Sequence, residues 1–389
     1  MRNYLLALAL SAAVAAQPSG PANTPFEGHP ALQLANGKLE LTILLQGSTF
    51  ANLVLSGDPS RLSPLWDPIR MTRELGQDAK FTSGLGHFVC VDGFGPVSAE
   101  ENAAGLPGHG EAHLQMFTVK SFENDGKTQT LSLAATLPIT QERLIRTVRM
   151  VQGENVVYVN SRLESLLGFD RPVEWAEHAT IGSPFLEPGV TVVDMSARRA
   201  QTRPYEPNEP GLPHRLPSGK DFSWPNAPTL SGKSVDLRAA PVETNSVDHT
   251  ACLMDTARPF AFVTALNPQK HLLLGYVFRP SEYPWEQNWE YYPPTGKLAR
   301  GLEFSSQPYD VPRREVVTAG SMFGAPLYRW LPAKSSIETS FLFFYTQVPD
   351  GFTRVDDVTF EDGSLVVVDR QAGKKIRLKA SLPLGSAAQ

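Results

Sequence analysis

Polar and apolar residues alternate along much of this chain. In Lys38–Leu45 the odd-numbered positions are all leucine or isoleucine, while the even-numbered positions are mostly charged or polar. The stretch Thr128–Leu137 repeats the pattern, with leucine and alanine alternating against threonine and serine. Because successive side chains of a strand point to opposite faces, this period of two predicts half-buried antiparallel strands. It restricts the chain to folds built mainly from such strands.

Turn residues separate the alternating segments. Asn36-Gly37, Asp125-Gly126 and Asp362-Gly363 are typical of two-residue hairpin turns. The 33 prolines among 389 residues disfavour long helices, and we predict no amphipathic helix of three turns. We therefore predict an all-β protein, a large antiparallel β-sandwich. Further strands are predicted at Ala51–Leu55, Arg143–Val151, Val156–Leu163, Phe260–Leu266, His271–Phe278, Ile337–Gln347, Val355–Phe360, Ser364–Asp369 and Ile376–Ala380.

The two ends of the chain differ from this pattern. Arg2, the apolar run Leu5–Val14 and the small residues before Gln17 predict a signal peptide at 1–16 and export to the periplasm or the medium. We assign 17–37 to an N-terminal extension, 38–380 to one sandwich domain and 381–389 to a C-terminal tail. No later segment approaches the ~18 apolar residues of a membrane-spanning helix, so the mature chain is predicted to have none.

Charge and cysteine content exclude several partners. The formal net charge of −5 gives no sign of a nucleic-acid partner, which is typically met by clustered Lys and Arg. Cys90 and Cys252 are the only cysteines, too few for a thiolate zinc site. In an oxidising compartment they either form one disulfide or remain two separate buried thiols.

Three segments combine histidine with carboxylates, the residue types that acid–base chemistry needs. They lie at 86–113, 174–186 and 301–308. Within the first, His109 and His113 have a metal-binding spacing on a helix, but the glycines flanking His109 disfavour a helix, so no metal site is predicted. His178 is either a hydrogen-bonded structural residue or a catalyst. Glu303 lies between Leu302 and Phe304, so alternation places it on the opposite face, as a solvated or a catalytic carboxylate.

Two further stretches can either bind a ligand or have a structural role. Trp285–Tyr292 interleaves four aromatic rings with Glu, Gln and Asn, a composition suited either to sugar stacking or to packing. The proline-rich stretch Arg198–Pro228 is either a functional loop or disordered. We find no Gly-x-Ser-x-Gly elbow, phosphate loop or dinucleotide fingerprint.

The order of these segments resembles that of aldose 1-epimerase (galactose mutarotase-like) proteins across residues 38–350. The similarity begins in the strand-turn-strand segment that ends at Pro64-Leu65-Trp66 and includes a central hairpin at Arg143–Leu163. The other matching motifs are Leu106-Pro107-Gly108-His109-Gly110, His178 with Pro184-Phe185-Leu186, and Glu303 with Ser306 and Pro308.

This resemblance implies a β-supersandwich that binds a sugar or oligosaccharide in a groove on one sheet and interconverts its anomers without a cofactor. It implies Glu303 as base and His178 as acid, with His109 binding sugar hydroxyls. The other substrate-binding residues that we assign are Arg70 or Arg73, Asp92, Trp285 and Trp289.

Glu303 is followed by Phe304 where the family has proline, so two alternatives stay open. One is a non-catalytic carbohydrate-binding protein. The other is a polysaccharide lyase or glycoside hydrolase on the same fold.

Overall fold

A computed structural model describes residues 20–77, 84–206 and 211–385. The predicted signal peptide at 1–16 lies outside these ranges, so export remains a prediction. None of the helices in the described ranges has the length and apolar composition needed to cross a membrane.

The largest element is an antiparallel sheet of fourteen strands. Its order follows the chain at one edge and is mixed in the middle, where strands distant in sequence become neighbours. In spatial order the strands are β1 (Ala22–Asn23), β2 (Ala31–Ala35), β3 (Leu39–Leu44), β4 (Phe50–Leu55), β5 (His87–Val91), β11 (Trp175–Gly182), β21 (Ala299–Gly301), β20 (Trp285–Tyr292), β17 (Ser246–Met254), β13 (Ala197–Thr202), β14 (Asp221–Ser223), β15 (Asn226–Pro228) and β16 (Ser234–Asp236), with β22 (Glu303–Ser305) pairing with both β11 and β20.

A second antiparallel sheet of eight strands packs against one face of the first. The two sheets share an apolar core that includes Trp175, Phe304 and Phe341. In spatial order its strands are β12 (Val192–Met195), β18 (Ala261–Asn267), β19 (Leu272–Phe278), β26 (Ser336–Gln347), β9 (Val156–Ser165), β8 (Glu142–Val151), β7 (Thr128–Leu137) and β6 (Thr118–Asn124).

A small third sheet covers the outer face of the second. It consists of β27 (Asp357–Glu361), β28 (Ser364–Asp369) and β29 (Lys374–Lys379), and its valines and leucines form a separate apolar cluster with the eight-stranded sheet. Two strand pairs and four short helical segments complete the described structure. They are β10 (Arg171–Val173) with β25 (Arg329–Leu331), β23 (Ser321–Met322) with β24 (Ala325–Pro326), α1 (Pro68–Glu74), α2 (Ala99–Ala103), α3 (Arg313–Ala319) and a 3-10 turn at Ala112–Leu114.

Alternation gives the large sheet two different faces. In β11, Trp175 and Ala179 point into the core between the sheets, while the intervening Ala176 and His178 point away from it. We call the second face the open face. Both faces of β11 are covered. All of its residues are therefore buried, although they include glutamate and histidine.

The all-β prediction is confirmed, and the strands predicted from alternation occur within a few residues of their expected ends. The described helices are at most seven residues long. The large sheet also extends into the 17–37 segment, where β2 pairs with β3. Cys90 and Cys252 are two separate buried thiols, so of the two alternatives the structure has the free pair.

Candidate active site

A cavity of about 360 Å³ lies on the open face and contains both predicted catalytic residues. Nδ1 of His178 is 3.3 Å from Oε1 of Glu303. Nδ1 also lies 3.1 Å from the Thr180 hydroxyl. Oε1 of Glu303 has no hydrogen-bond partner among the described residues, although Glu303 is only 1% exposed. An imidazole and an unsatisfied carboxyl group therefore share one cavity.

Strand pairing explains how residues 125 positions apart meet. In the pairing of β11 with β21 and β22, Thr180 is opposite Gly301 and Glu177 is opposite Phe304, so the same register places His178 opposite Glu303. Directly paired residues of antiparallel strands share a face. Gly301 leaves the necessary space, because a Cβ there would lie 2.4 Å from Oε1 of Glu303.

Aromatic rings form one side of the cavity. Trp66 and Trp289 both line it and meet edge to face, with ring centroids 5.9 Å apart. Trp66 is fixed by its backbone, since its N–H donates to the carbonyl of Thr180. A Cβ at Gly182 would lie 2.7 Å from the Trp66 ring, so this close approach requires glycine. Phe88, another wall residue, stacks on His178, with centroids 4.3 Å apart.

The segment around His109 is held close to the end of β5. Gly110 has φ +70°, and a Cβ there would lie 1.9 Å from the carbonyl oxygen of Val91. The Gly95 N–H donates to Nδ1 of His109 at 3.1 Å. In the neutral ring the proton is therefore on Nε2, which makes His109 a donor toward a ligand.

Burial favours the neutral forms of Glu303 and His178. It raises the pKa of Glu303 well above its usual value, and Asp310 and Glu286 add to this effect. Burial and then the neighbouring His109 lower the pKa of His178 well below its usual value. Both shifts follow from the cost of removing a charge from water. Burial therefore favours a protonated carboxyl group beside a neutral imidazole.

His249 and Asp310 form a second pair in the wall of the same cavity. Nδ1 of His249 is 3.1 Å from Oδ1 of Asp310, and Arg203 donates to the same oxygen at 2.6 Å. Burial alone would raise the pKa of Asp310, but His249 and Arg203 outweigh it and hold that pKa below its usual value. Asp310 is therefore ionised and accepts the Nδ1–H of His249.

The structure brings some predicted site residues to the cavity and leaves others elsewhere. His109, His178, Trp289 and Glu303 line it. Arg70, Arg73, Asp92 and Trp285 are not among its described wall residues.

Each of the four has other partners. Arg70 donates to the carbonyl of Ser183, and Arg73 pairs with Glu27 on the surface. Both oxygens of Asp92 are bound, one by Arg171 and one by Arg313. The indole of Trp285 is fully buried and donates to the carbonyl of Pro326.

The sequence alone does not identify the other wall residues as ligand contacts. Phe88 and His113 lie in the first histidine segment, and Trp66 ends the family-like opening motif, so each had a signal nearby. His113 is buried, and desolvation followed by the effect of His109 lowers its pKa to about 4. His249 and Asp310 belong to no sequence motif. His249 lies on β17, and only the sheet order shows that β17 is next to β20.

Solved structures share this architecture. A protein from Synechocystis sp. PCC 6803 aligns over 86% of this chain and 100% of its own, with a TM-score of 0.56 at 15% identity. A galactose mutarotase-like protein from Clostridium acetobutylicum aligns over 84% of this chain and 98% of its own, with a TM-score of 0.57 at 11% identity. A galactose mutarotase related enzyme from Lactobacillus acidophilus aligns over 82% and 98%, with a TM-score of 0.53 at 12% identity.

Protein-family models and curated protein sequences give no match. At these identities the structural likeness concerns the fold alone. The chain therefore has the galactose mutarotase-like fold, as the order of its motifs predicts.

Proposed function

We propose that this protein is a mutarotase that interconverts the α and β anomers of a reducing sugar, with Glu303 and His178 exchanging the protons. One observation carries the proposal. Nδ1 of His178 lies 3.3 Å from an otherwise unpartnered carboxyl oxygen of Glu303, inside a cavity of about 360 Å³. That volume falls in the range of ~300–1,000 Å³ common for small-molecule sites.

The chemistry needs one base and one acid. Opening the cyclic hemiacetal removes a proton from the anomeric hydroxyl and adds one to the ring oxygen, and closure on the other carbonyl face reverses both transfers. A protonated Glu303 beside a neutral His178 holds one acidic proton and one free basic site. After ring opening the two residues have exchanged roles, so the same pair performs the closure.

The starting state reverses the roles implied by the resemblance. The raised pKa of Glu303 and the lowered pKa of His178 favour the carboxyl group as the first acid and the imidazole as the first base. Each group both donates and accepts a proton in the course of the full reaction. The reaction therefore needs only one transferable proton, held by either Glu303 or His178.

The cavity walls suit a pyranose. Trp289 offers an indole ring for the apolar face of a sugar, and Trp66 supports it edge to face. Nε2–H of His109 offers a donor for a hydroxyl group. These contacts orient the anomeric carbon toward the pair, and correct orientation accounts for much of the rate of such reactions.

The test is polarimetry on freshly dissolved α-anomers of a broad aldose panel. We expect wild type to accelerate mutarotation of at least one sugar, and His178→Asn and Glu303→Gln to lose roughly 10²–10⁴-fold of that acceleration. Glu123→Gln on exposed β6 and His271→Asn in a surface turn are matched controls that keep it. A wild type no faster than the spontaneous reaction across the panel contradicts the proposal.

A carbohydrate-binding protein without catalysis is the second candidate, favoured by the aromatic wall of Trp66 and Trp289. It predicts that Glu303→Gln binds sugar about as well as wild type while neither protein accelerates mutarotation. A lyase or hydrolase instead releases a shorter sugar from an oligosaccharide, which the same samples reveal by NMR.

A further inference from the structure

A smaller cavity of about 150 Å³ adjoins the main one and shares part of its wall. His249, Trp289 and Asp310 line both spaces. The remaining wall of this side cavity comes largely from the proline-rich stretch, through residues such as Arg203, Tyr205 and His214. The two cavities therefore lie side by side along these three residues.

The shared wall carries an unused polar atom. His249 is only 9% exposed, its Nδ1 faces Asp310, and its Nε2 has no hydrogen-bond partner among the described residues. In the neutral ring the proton lies at Nδ1, against the Asp310 carboxylate, so that Nε2 is an acceptor. Leaving such a buried atom unpaired is costly, and a ligand hydroxyl group that donates to it removes that cost.

The charges in the side cavity are balanced. Arg203 is paired with Asp310, and Arg215 donates to the wall residue Asp248 at 2.8 Å. A phosphate or a sugar acid would need surplus positive charge, and these pairs leave none on the described wall residues. Tyr205 presents an aromatic ring, stacked on His214 with centroids 4.0 Å apart. A neutral group with hydroxyls and an apolar face fits this composition.

We propose that the side cavity is a subsite for a neutral glycosyl substituent, so that the substrate is a reducing disaccharide or a longer reducing oligosaccharide. The inference rests on the proposed function, which places the reducing-end ring between His178 and Glu303. Mutarotation requires a free anomeric hydroxyl on that ring. The second sugar is therefore attached through another hydroxyl, and its ring contacts His249 and Tyr205.

Calorimetric binding to wild type tests the subsite independently of catalysis. Each reducing disaccharide is compared with its own reducing-end monosaccharide, for example maltose and cellobiose with glucose, and xylobiose with xylose. One hydrogen bond and one ring contact predict that at least one disaccharide binds roughly tenfold more tightly than its monosaccharide. If no disaccharide in the panel binds more tightly than its monosaccharide, the subsite is overturned.

Two variants assign the preference to the cavity. Tyr205→Leu removes the ring, and His249→Gln removes the imidazole acceptor while keeping a polar side chain. Each removes one of the two contacts and should lower the disaccharide-to-monosaccharide affinity ratio by roughly threefold. Trp330→Leu removes a 58% exposed aromatic residue elsewhere and should keep the ratio. An affinity ratio that is unchanged in both variants contradicts the assignment of the preference to the side cavity. If one variant fails to fold, the other alone is sufficient for the test.

The two proposals fail in different measurements. Tight disaccharide binding without faster mutarotation supports the subsite and contradicts the proposed mutarotase function. Faster mutarotation with equal affinities for disaccharides and monosaccharides keeps the mutarotase and removes the subsite.

Discussion

At the scale of single residues, the position of Glu303 depends on its neighbours in space. Alternation correctly places it opposite Leu302 and Phe304, which point into the core. The sequence also allows a solvated carboxylate at this position, yet Glu303 is 1% exposed, because loops and aromatic rings cover this part of the open face. Burial gives the carboxyl group its raised pKa and hence its proposed part in proton transfer.

Gly301→Ala tests whether the placement of Glu303 controls activity. The added Cβ would lie 2.4 Å from Oε1, so the carboxyl group must move, and a displacement of about 1 Å can cost 10²-fold in rate. We expect mutarotation to fall by roughly 10- to 100-fold while the folded structure remains, because the clash is with a side-chain end. Gly57→Ala, which has no atom within 4 Å of the new Cβ, is the control. Equal activity in both variants contradicts this account.

Trp285 and Trp289 show why residue roles were only partly predictable. Positions four apart on a strand point to the same face, so alternation predicts the same role for both tryptophans. In the structure Trp285 packs with Val316 of α3 and Leu327, while Trp289 lines the cavity. The difference arises from where distant segments pack over the open face, which alternation alone does not encode.

At the scale of elements, β11 connects the core to the cavity. Its Glu177 points between the sheets and binds Arg146 at 2.9 Å and His87 at 3.0 Å, while the next residue, His178, points into the cavity. Burial alone would raise the pKa of Glu177, but Arg146 and His87 outweigh it and hold that pKa below its usual value. These buried contacts link β11 to β8 of the second sheet and to its neighbour β5.

Arg146→Met tests that buried pair. It leaves the Glu177 carboxylate without its guanidinium partner, which we expect to cost about 3–5 kcal/mol in the free energy of unfolding measured with urea. The control is Arg162→Met, whose side chain is 49% exposed and pairs with Glu164, a surface arrangement worth about 0–1 kcal/mol. Adding Glu177→Gln to Arg146→Met should restore part of the loss. Similar costs for the two single variants contradict the role of the buried pair.

At the scale of the whole molecule, the sequence predicts the fold class and the positions of the strands. Alternation over Thr128–Leu137 predicted β7 to its ends because one side of that strand faces the core. Strand order was not encoded locally, so the approach of His249 and Asp310 to the cavity could not be predicted. The contribution of the proline-rich stretch to the side cavity also depends on that order.

The two thiols provide a test of the whole fold. Cys90 is 1% exposed and Cys252 is fully buried, and burial, followed by nearby carboxylates, raises both pKa values. We expect a thiol reagent to find no reactive cysteine in the native protein and two per chain in urea without reductant. The melting temperature should be the same with and without reductant. No reactive thiol in urea would show a disulfide and contradict this packing.

The central claim is that His178 and Glu303 act as one unit in anomer interconversion. Two-dimensional exchange NMR measures the rate between α and β signals of a sugar at equilibrium, for wild type, His178→Asn, Glu303→Gln and the double variant. Groups that act as a unit are strongly non-additive. We predict that the double variant loses no more acceleration than the more impaired single variant. Single variants that retain the wild-type rate, or losses that multiply in the double variant, would contradict the account.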